Sequence, residues 1–465
     1  MLSSSTIWAS SISLLDLASV DERWREEVVK RMGTSLFSLY GPRVCFGTPE
    51  TELLLSLMES SWSRFRRIYV ETSDKKVMAD PRWHSVYQPA AHLEFFEVRF
   101  RLDAPVFSKE NGLLFGDYSP KLHTFEMFNL KVKLGSSWGK NLRRLSLIHC
   151  TVDHSIFVAL PQMNILESLA VENVKFSSIP IANSPSENIH LPKLDNLEIS
   201  VEFTTMVVLL DRIKPTPGCS ADIKGMSCTP RKLRLASSFC LSQNLANYVK
   251  CSNRRNLGLR ISPWIFDVNT DDDAYDKEDS NKLPAEDQSS YLSISIEFSG
   301  ERMPYPVVDI LDFCDFSSLE VLRLEIENTD IQISDSRLMN FSFTLDSIKV
   351  VEADSQTLEV IHDIQDCTSL LLFPSLQKVI LDAEEDSEIE TPAILQFLLQ
   401  RNEMNAPFLT FQHAQYTSPV DKAKLEFLEG LDFIEVVVEG GDHIAAHKSI
   451  FRFLNTSNFS ILPRR

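Results

Sequence analysis

The feature that most constrains the fold of this chain is a six-residue phrase, Leu-x-x-Leu-x-Leu with aliphatic substitutes, that recurs along the sequence. The clearest copies begin at Leu142, Leu166, Leu194 and Leu319, and weaker copies begin at Leu93, Leu122, Leu345 and Leu376. A recurring strand phrase is typical of strand-loop units that stack side by side, because a single unit cannot bury its apolar face alone. The phrase therefore predicts a sheet built from repeated units.

The spacing of the copies indicates leucine-rich repeats, whose period is roughly 20–29 residues. From Leu93 the starts are 29, 20, 24 and 28 residues apart, and from Leu319 they are 26 and 31 apart. Three copies share a Pro-x-Leu lead-in, at Pro120, Pro192 and Pro374, and proline suits the start of a strand because it donates no hydrogen bond.

We therefore predict an α/β fold, an irregular leucine-rich-repeat solenoid with a curved parallel sheet, short helices on the convex side and an N-terminal helical cap. The repeat is irregular because only Cys150 occupies the position where the consensus has Asn or Cys. The alternative is an ordinary α/β domain whose strands are rich in leucine.

The remaining patterns divide the chain into segments. Residues 1–90 are expected to form the helical segment, since residues 13–32 have apolar side chains at helical spacing and Thr48-Pro49-Glu50 opens a second helix. Residues 91–266 and 291–430 would hold the two halves of the solenoid, and 431–465 a strand and tail. Short helices are predicted at Met206–Ile213, Val307–Cys314, Leu358–Ile364 and Ile394–Gln400.

The segment from residue 267 to 290 interrupts the repeats. It is acidic and nearly without apolar residues, which predicts a disordered loop. A more specific alternative is a calcium-binding loop, because Asp267, Asn269, Asp271 and Glu278 match ligand positions of an EF-hand. Asp272, however, stands where the sharp turn needs glycine.

Composition narrows the class of partner. The net charge of −19 disfavours nucleic acid, since binding to phosphates needs a basic surface. The eight cysteines include no C-x-x-C pair, so reduced thiols are expected, with neither a zinc site nor a disulfide framework. The sequence has no signal-peptide pattern and no long apolar run. These features predict an intracellular protein, cytoplasmic or nuclear, with no membrane contact.

No motif indicates catalysis. The P-loop, the dinucleotide-binding glycine motif, the nucleophile elbow and the zinc-protease motif are all missing from the sequence. His443 and His447 have the i, i+4 spacing of metal ligands on a helix, but their segment reads as a strand and turn. We therefore expect no catalytic residue, no cofactor and no metal. An enzyme with an unfamiliar site would need a pocket that holds several titratable groups with perturbed pKa values.

The N-terminal region resembles a known family. Ile7-Trp8, Glu22-Arg23-Trp24, Arg31-Met-Gly33 and Ser61-Trp62-Ser-Arg64 occur in that order. The order resembles the region downstream of the F-box in F-box-like proteins of mushroom-forming fungi, which continue into degenerate leucine-rich repeats. The resemblance covers about residues 1–400. It implies the surface of a substrate receptor of an SCF-type ubiquitin ligase.

The F-box itself has no counterpart in this sequence. Its Leu-Pro-x-Glu helix start and Cys-x-x-Trp segment are both missing, so binding of a Skp-type adaptor is expected only if an F-box is encoded upstream. The function expected from sequence is thus a non-enzymatic protein-binding solenoid. The alternative is a stand-alone repeat scaffold without a ligase role.

The predicted protein-binding residues are those that alternate with the phrase leucines, because strand side chains alternate between the two faces of a sheet. They would lie on the concave face: Arg144, Ser146, Ile148, Ser168, Glu172, Asn196, Glu198, Arg323, Glu325 and Lys349, with Ser347 and Val351 in the same row as Lys349. The row is mixed in charge, which suits recognition of a protein surface.

Overall fold

The structure, a computed structural model, is described for part of the chain. The described residues are 12–13, 16–17, 19–101, 113–132, 134, 137–153, 155–176, 188–214, 216, 218–229, 240–246, 256–262, 265–270, 292–298, 308–311, 316–326, 341, 344–382, 391–406, 409–414, 428, 431, 434–438 and 449–450. The chain forms two compact units. Unit 1 comprises Met1–Ser227 and Ser289–Tyr291, and unit 2 comprises Cys228–Gln288 and Leu292–Arg465.

Most of the described elements are short strands. They are β1 Ile12–Ser13, β2 Phe37–Gly41, β3 Phe65–Thr72, β4 Phe95–Phe100, β5 Thr124–Phe128, β6 Lys131–Val132, β7 Arg144–Ile148, β8 Thr151–Val152, β9 Ser168–Glu172, β10 Lys175–Phe176, β11 Ile189–His190, β12 Asn196–Glu202, β13 Ile213–Lys214, β14 Ser220–Cys228, β15 Asn256–Ile261, β16 Ile265–Asn269, β17 Leu292–Phe298, β18 Val321–Ile326, β19 Val350–Ala353, β20 Lys378–Asp382, β21 Leu409–Ala414, β22 Ile434–Val438 and β23 Ser449–Ile450.

The α-helices with described bounds are α1 Glu22–Met32, α2 Pro49–Ser61, α3 Lys75–Met78, α4 Ser155–Ala159, α5 Phe203–Arg212, α6 Val308–Leu311, α7 Ser355–Thr368 and α8 Thr391–Glu403. Short 3-10 helices occupy Trp62–Arg64, Pro81–Tyr87, Leu114–Asp117, Trp138–Asn141 and Leu160–Gln162. Both units therefore combine a mostly parallel sheet with short helices, as the α/β prediction required.

Unit 1 contains a parallel sheet in which the strands follow one another in chain order. The order is β1, β2, β3, β4, β5, β7, β9, β12 and β14, and every neighbouring pair is parallel. A parallel sheet needs a crossover connection between successive strands. Between β4 and β12 the described helices in the crossovers are 3-10 turns and the five-residue α4. Such short crossovers allow paired residues of β5 and β7 to be only 20 residues apart in sequence.

The leucine phrases of unit 1 are stacked in register. Leu145 pairs with Phe125 on one side and Leu169 on the other, and Leu169 pairs with Leu197. These side chains are completely buried, as are the partners two residues further along each strand, Leu147, Val171 and Ile199. Burying each such side chain contributes roughly 1.5–3 kcal/mol. The stacked phrases therefore form a continuous apolar core under one face of the sheet.

The strand phrase begins earlier than the sequence indicated. Ile68 and Val70 of β3 pair with Phe96 and Val98 of β4, so Phe65-x-x-Ile68-x-Val70 is a further copy of the phrase. Strands β1 and β2 extend the same sheet toward the N-terminus. Within residues 1–90, where the sequence predicted a helical segment, the structure therefore has three strands of the sheet beside the helices.

The two helices predicted in that segment are confirmed, with one shifted start. Helix α1 begins at Glu22 and not near residue 13, and the carboxylate of Asp21 accepts a hydrogen bond from the Trp24 backbone N–H at 2.8 Å. Helix α2 begins at Pro49, and the Thr48 hydroxyl caps it by accepting from the Thr51 N–H. An extended N-cap residue with a side-chain acceptor is the expected helix start.

A repeated turn ends three successive strands of unit 1. Asn129, His149 and Asn173 stand at the same position after β5, β7 and β9, and all three have positive φ, between 48° and 60°. The next residue is buried in each case, and one of them is Cys150, whose thiol lies 3.4 Å from the Met127 carbonyl oxygen. The chain then forms the small parallel sheet of β6, β8 and β10. Two asparagines and one histidine thus occupy the left-handed turn, each one residue before a buried position.

An aromatic cluster fills the core of unit 1 beneath β4 and β5. The ring of Phe115 lies 5.2 Å from that of Phe96 and 5.3 Å from that of Trp138 between centroids, both in edge-on geometry. It also contacts Trp62 and Phe125. Phe115 is completely buried and has φ 58°. Edge-to-face ring pairs add to the burial of apolar area, so this cluster joins several successive repeats.

Unit 2 also has a sheet, but it is not wholly parallel. Strands β15, β18, β19, β20, β21 and β22 are parallel neighbours in that order. On the other side of β15 the strands β16 and β17 pair antiparallel, as does β23 with β22. The prediction of a parallel sheet is therefore wrong at both edges of the sheet of unit 2, where these strands pair antiparallel.

One phrase of unit 2 is displaced by three residues from its predicted start. Val351 pairs with Leu322 and Val379, and Ala353 pairs with Leu324 and Leu381. The copy is thus Ile348-x-x-Val351-x-Ala353, and the predicted start at Leu345 is wrong. Val351 is 1% exposed, so its placement in the outward row was also wrong. Because the side-chain period is two, an odd shift exchanges the faces.

The helices of unit 2 form where the sequence predicted them. Helix α7 contains Leu358–Ile364 and contacts β18 and α8, and α8 contains Ile394–Gln400. Helix α6 covers the described part of Val307–Cys314, and in unit 1 α5 covers all but the last residue of Met206–Ile213.

Arg401 of α8 is a buried charged residue. Its guanidinium donates a hydrogen bond to the Leu372 carbonyl oxygen at 2.8 Å, and burial lowers the pKa of Arg401 to about 10.

The predicted acidic loop begins later than residue 267. Asp267 and Asn269 lie in β16 and pair with β17, so their backbone is extended and does not form the first turn of a calcium loop. Residues 271–290 lie outside the described residues, as do His443 and His447. In the C-terminal segment, the predicted strand corresponds to β22.

Candidate functional site

The strand residues that alternate with the buried ones define what we call the open face of unit 1. Its middle row, the central column, is set by direct pairing between neighbouring strands. From β2 to β14 it consists of Tyr40, Tyr69, Glu97, Glu126, Ser146, Ala170, Glu198 and Asp222. Neighbouring strands lie ~4.8 Å apart, so these side chains are close enough to act together.

Two tyrosines form the N-terminal end of the central column. The rings of Tyr40 and Tyr69 are stacked, with centroids 4.7 Å apart and an interplanar angle of 21°. Tyr40 is 48% exposed. The Tyr69 hydroxyl donates to Glu71 at 3.2 Å, and burial together with the Glu71 carboxylate raises the pKa of Tyr69 to about 12. Tyrosine offers a large contact area at low entropic cost, which favours such positions in interfaces.

The next two strands carry a charged network. The guanidinium of Arg99 lies 2.7 Å from a carboxylate oxygen of Glu97 and 2.7 Å from one of Glu126. It also lies 5.9 Å from the centre of the Tyr69 ring. One cation therefore bridges two carboxylates of the central column, and the network retains one net negative charge.

Glu97 is the most buried charged group of the open face, at 7% exposure. Burial, followed by the repulsion of the Glu126 carboxylate, raises the pKa of Glu97 above its ordinary value, although Arg99 opposes the shift. A carboxyl whose pKa is raised by folding stabilises the protein below its unfolded pKa and loses that contribution as pH rises through its folded pKa.

We expect Glu97→Gln to reveal this shift in a pH series of urea unfolding. As pH falls from about 7 to about 3.5, wild type should gain stability relative to Glu97→Gln, because protonation of a carboxyl whose pKa is raised by folding favours the folded state. Ser146→Ala, in the same column, is the control, and its offset from wild type should not change with pH. If the stability of wild type instead fell relative to that of Glu97→Gln on acidification, the ion pair with Arg99 would have a larger effect on the pKa of Glu97 than burial has.

A second acidic group lies toward the other end of the column. Glu198 pairs directly with Asp222 across β12 and β14, and Glu172 lies on β9 beside them. Burial, followed by repulsion from Glu172, raises the pKa of Glu198. Ser146 and Ala170, which are small, separate this group from the Arg99 network along the column.

The seven predicted residues of unit 1 all alternate with the buried leucines, as the strand period required. They are Arg144, Ser146 and Ile148 on β7, Ser168 and Glu172 on β9, and Asn196 and Glu198 on β12. Ser146 is only 6% exposed, so it contributes little contact area. The structure brings this set together on three adjacent strands.

The predicted residues of unit 2 are partly exposed and engaged in ion pairs. Arg323 contacts Glu352 at 3.2 Å, and Glu325 contacts Arg260 at 3.1 Å. Lys349 precedes β19 and contacts Glu320 at 3.1 Å. The first two pairs join side chains of neighbouring strands, and the third joins the residues that directly precede β18 and β19.

Sequence reasoning missed Tyr40, Tyr69, Glu97 and Arg99. Tyr69 was missed because the phrase in β3 begins with Phe65, outside a search for leucine. Tyr40 follows a register shift at Phe37, so a phrase counted from Phe37 would place it among the buried positions. Glu97 and Arg99 belong to the copy that begins at Leu93, where the strand period alone places them in the outward row.

The described residues offer little for covalent or metal chemistry. Among them, no group of three or more His, Cys, Asp or Glu side chains could hold a metal ion. Burial raises the pKa of the Cys150 thiol to about 11 and that of Cys219 to about 12, which keeps both in the unreactive thiol form. Nor does any helix in the described part of the chain have the length and apolar character to cross a membrane.

Comparisons with known proteins add no family. No protein-family model matches the chain, and no curated protein is similar to it at a significant level.

Proposed function

We propose that this chain is a leucine-rich-repeat solenoid that binds another protein through the open face of its sheet and is not an enzyme. The observation that carries the proposal is the in-register stacking of the central column over eight successive strands of unit 1. Repeated strands present their outward side chains as one continuous surface, which suits distributed contacts with a protein. Exposed tyrosine and arginine side chains on that surface favour the same use.

The proposed role is that of a substrate receptor related to those of SCF-type ubiquitin ligases, acting inside the cell. Its support is the resemblance of the N-terminal region, and the role rests on analogy. The second candidate is a scaffold with no ligase role. The net charge of −19 supports a protein partner over nucleic acid in both cases.

Site-specific photo-crosslinking tests the binding surface. A benzophenone amino acid at Ser168, on the open face, should crosslink to a defined protein in cells. The same group at Val158, which is 61% exposed on α4, is the matched control and should not crosslink to that protein. Equal labelling from the two positions, or none from Ser168, would overturn the proposal.

Adaptor binding separates the two candidates. The 5′ end of the transcript should be mapped, and the complete product tested for binding to a purified Skp-type adaptor beside the chain that starts at Met1. Binding of the adaptor by a longer product, and not by the chain that starts at Met1, supports the role of a substrate receptor. A transcript that begins at Met1, together with no adaptor binding, supports the scaffold.

A further inference from the structure

We propose that the open face of unit 1 binds an extended, basic segment of a partner protein, with two cationic side chains four residues apart along the segment. This inference rests on the proposed protein-binding function and specifies the chemistry of its partner. Three features of the central column support it: the charge, the spacing of the acidic side chains and the aromatic end.

The charge of the central column has one sign. Its ionisable acids are Glu97, Glu126, Glu198 and Asp222, and it contains no lysine or arginine. Arg99, from the neighbouring row, neutralises part of the first pair. The first pair keeps one net negative charge beside Arg99, and Glu198 repels the exposed carboxylate of Asp222 on the neighbouring strand. A further cation is attracted to either group, because it relieves the like-charge repulsion. Charge complementarity therefore favours a basic partner.

The spacing of the two acidic pairs fits an extended chain. Glu126 and Glu198 are separated by three strand intervals, through Ser146 and Ala170. At ~4.8 Å per interval this amounts to ~14 Å. Four residues of an extended chain span about the same distance, and residues i and i+4 point to the same side. The small side chains between the pairs leave room for a backbone to cross.

The tyrosine pair provides a contact of a different kind. Tyr40 is the last residue of the column and is 48% exposed. Its ring stacks on that of Tyr69, which in turn pairs with Glu97. The face of an aromatic ring attracts a cation and also packs well against apolar stems of lysine and arginine. From Tyr40 to Asp222 the column spans ~34 Å, which corresponds to about ten residues of extended chain.

Defined peptides test the inference on the full chain. The probe is a fluorescein-labelled twelve-residue peptide of serine and glycine with arginine at its fourth and eighth positions, measured by fluorescence anisotropy. We expect it to bind about tenfold more tightly than a peptide in which both arginines are replaced by glutamate, a difference that added salt should reduce. A third peptide with arginines at the fourth and sixth positions should bind several-fold more weakly than the first.

The matched variants locate the binding. Glu126→Gln combined with Glu198→Gln should weaken binding of the arginine peptide by about tenfold or more. Glu26→Gln combined with Glu59→Gln removes the same charge from exposed positions on α1 and α2 and should change affinity less than about twofold. Circular dichroism spectra should confirm that both double variants remain folded.

The outcomes distinguish this inference from the proposed function. Equal loss in the two double variants, or equal binding of the arginine and glutamate peptides, would overturn the basic-segment inference. If crosslinking from Ser168 succeeds under those conditions, the protein-binding function stands and only the chemistry of the partner is wrong. If crosslinking fails as well, both fail.

Discussion

Phe115→Ala should destabilise unit 1 by about 3–5 kcal/mol, the range for removing a fully buried aromatic side chain. The ring is completely buried and contacts four other aromatic rings, those of Trp62, Phe96, Phe125 and Trp138. Those rings belong to different repeats, so a cavity at this position removes contacts between repeats. The midpoint of urea unfolding, followed by hydrogen exchange of the amides in β4 and β5, would measure the effect.

The backbone at Phe115 provides a second, independent readout. Its φ of 58° and ψ of 23° place it in the left-handed region, which costs a residue with a side chain roughly 1–2 kcal/mol relative to glycine. Phe115→Gly should therefore be no more destabilising than Phe115→Ala, although glycine normally weakens a folded chain. Tyr118→Ala, at a 54% exposed side chain, is the control and should change stability by less than about 1 kcal/mol.

A small effect of Phe115→Ala would show that the cluster repacks around the missing ring. An effect of Phe115→Gly well above that of Phe115→Ala would show that the left-handed conformation is not the one adopted in solution. The two variants thus test the side-chain packing and the backbone geometry separately.

Val351→Glu should cost about 4 kcal/mol or more, or unfold unit 2, because it places a charge in an apolar core. Val351 is 1% exposed and lies between Leu322 and Val379 in the sheet. Its neighbour Val350 points to the other face, where it pairs with Val321 and Lys378. Val350→Glu should change stability by less than about 1 kcal/mol, helped by the nearby lysine.

This pair of variants is a direct test of strand register. If β19 had the register expected from a phrase beginning at Leu345, the tolerated and the damaging positions would be exchanged. Hydrogen exchange in β19 assigns the loss to this strand, since unfolding of a chain with two compact units need not be a single transition.

Much of the sheet could be predicted because its signal is local. Leu142, Leu166 and Leu194 each begin a phrase whose buried positions follow from a period of two, and the structure stacks all three. The helix start at Thr48 was also predicted, since a cap needs only a few consecutive residues, whereas α1 begins at Glu22 and not near residue 13. The same alternation predicted that the outward side chains on β7, β9 and β12 include both charged and uncharged residues.

Other features could not be predicted because they depend on which residues become neighbours. The register of β19 is set by its pairing with β18 and β20, and the competing start at Leu345 fits the local pattern equally well. The antiparallel strands β16 and β17 were not predicted, because they flank the acidic segment that was interpreted as a loop. The Phe115 cluster joins residues from 62 to 138 that share no local motif.

The sequence by itself determined that the chain forms strand repeats with alternating buried and outward residues, because that alternation is a property of each strand alone. Only the tertiary structure decided which outward residues meet. It stacked Tyr40 on Tyr69, placed Arg99 between Glu97 and Glu126, and set Glu198 beside Asp222. These contacts depend on register between strands far apart in sequence, and burial of the apolar face fixes that register.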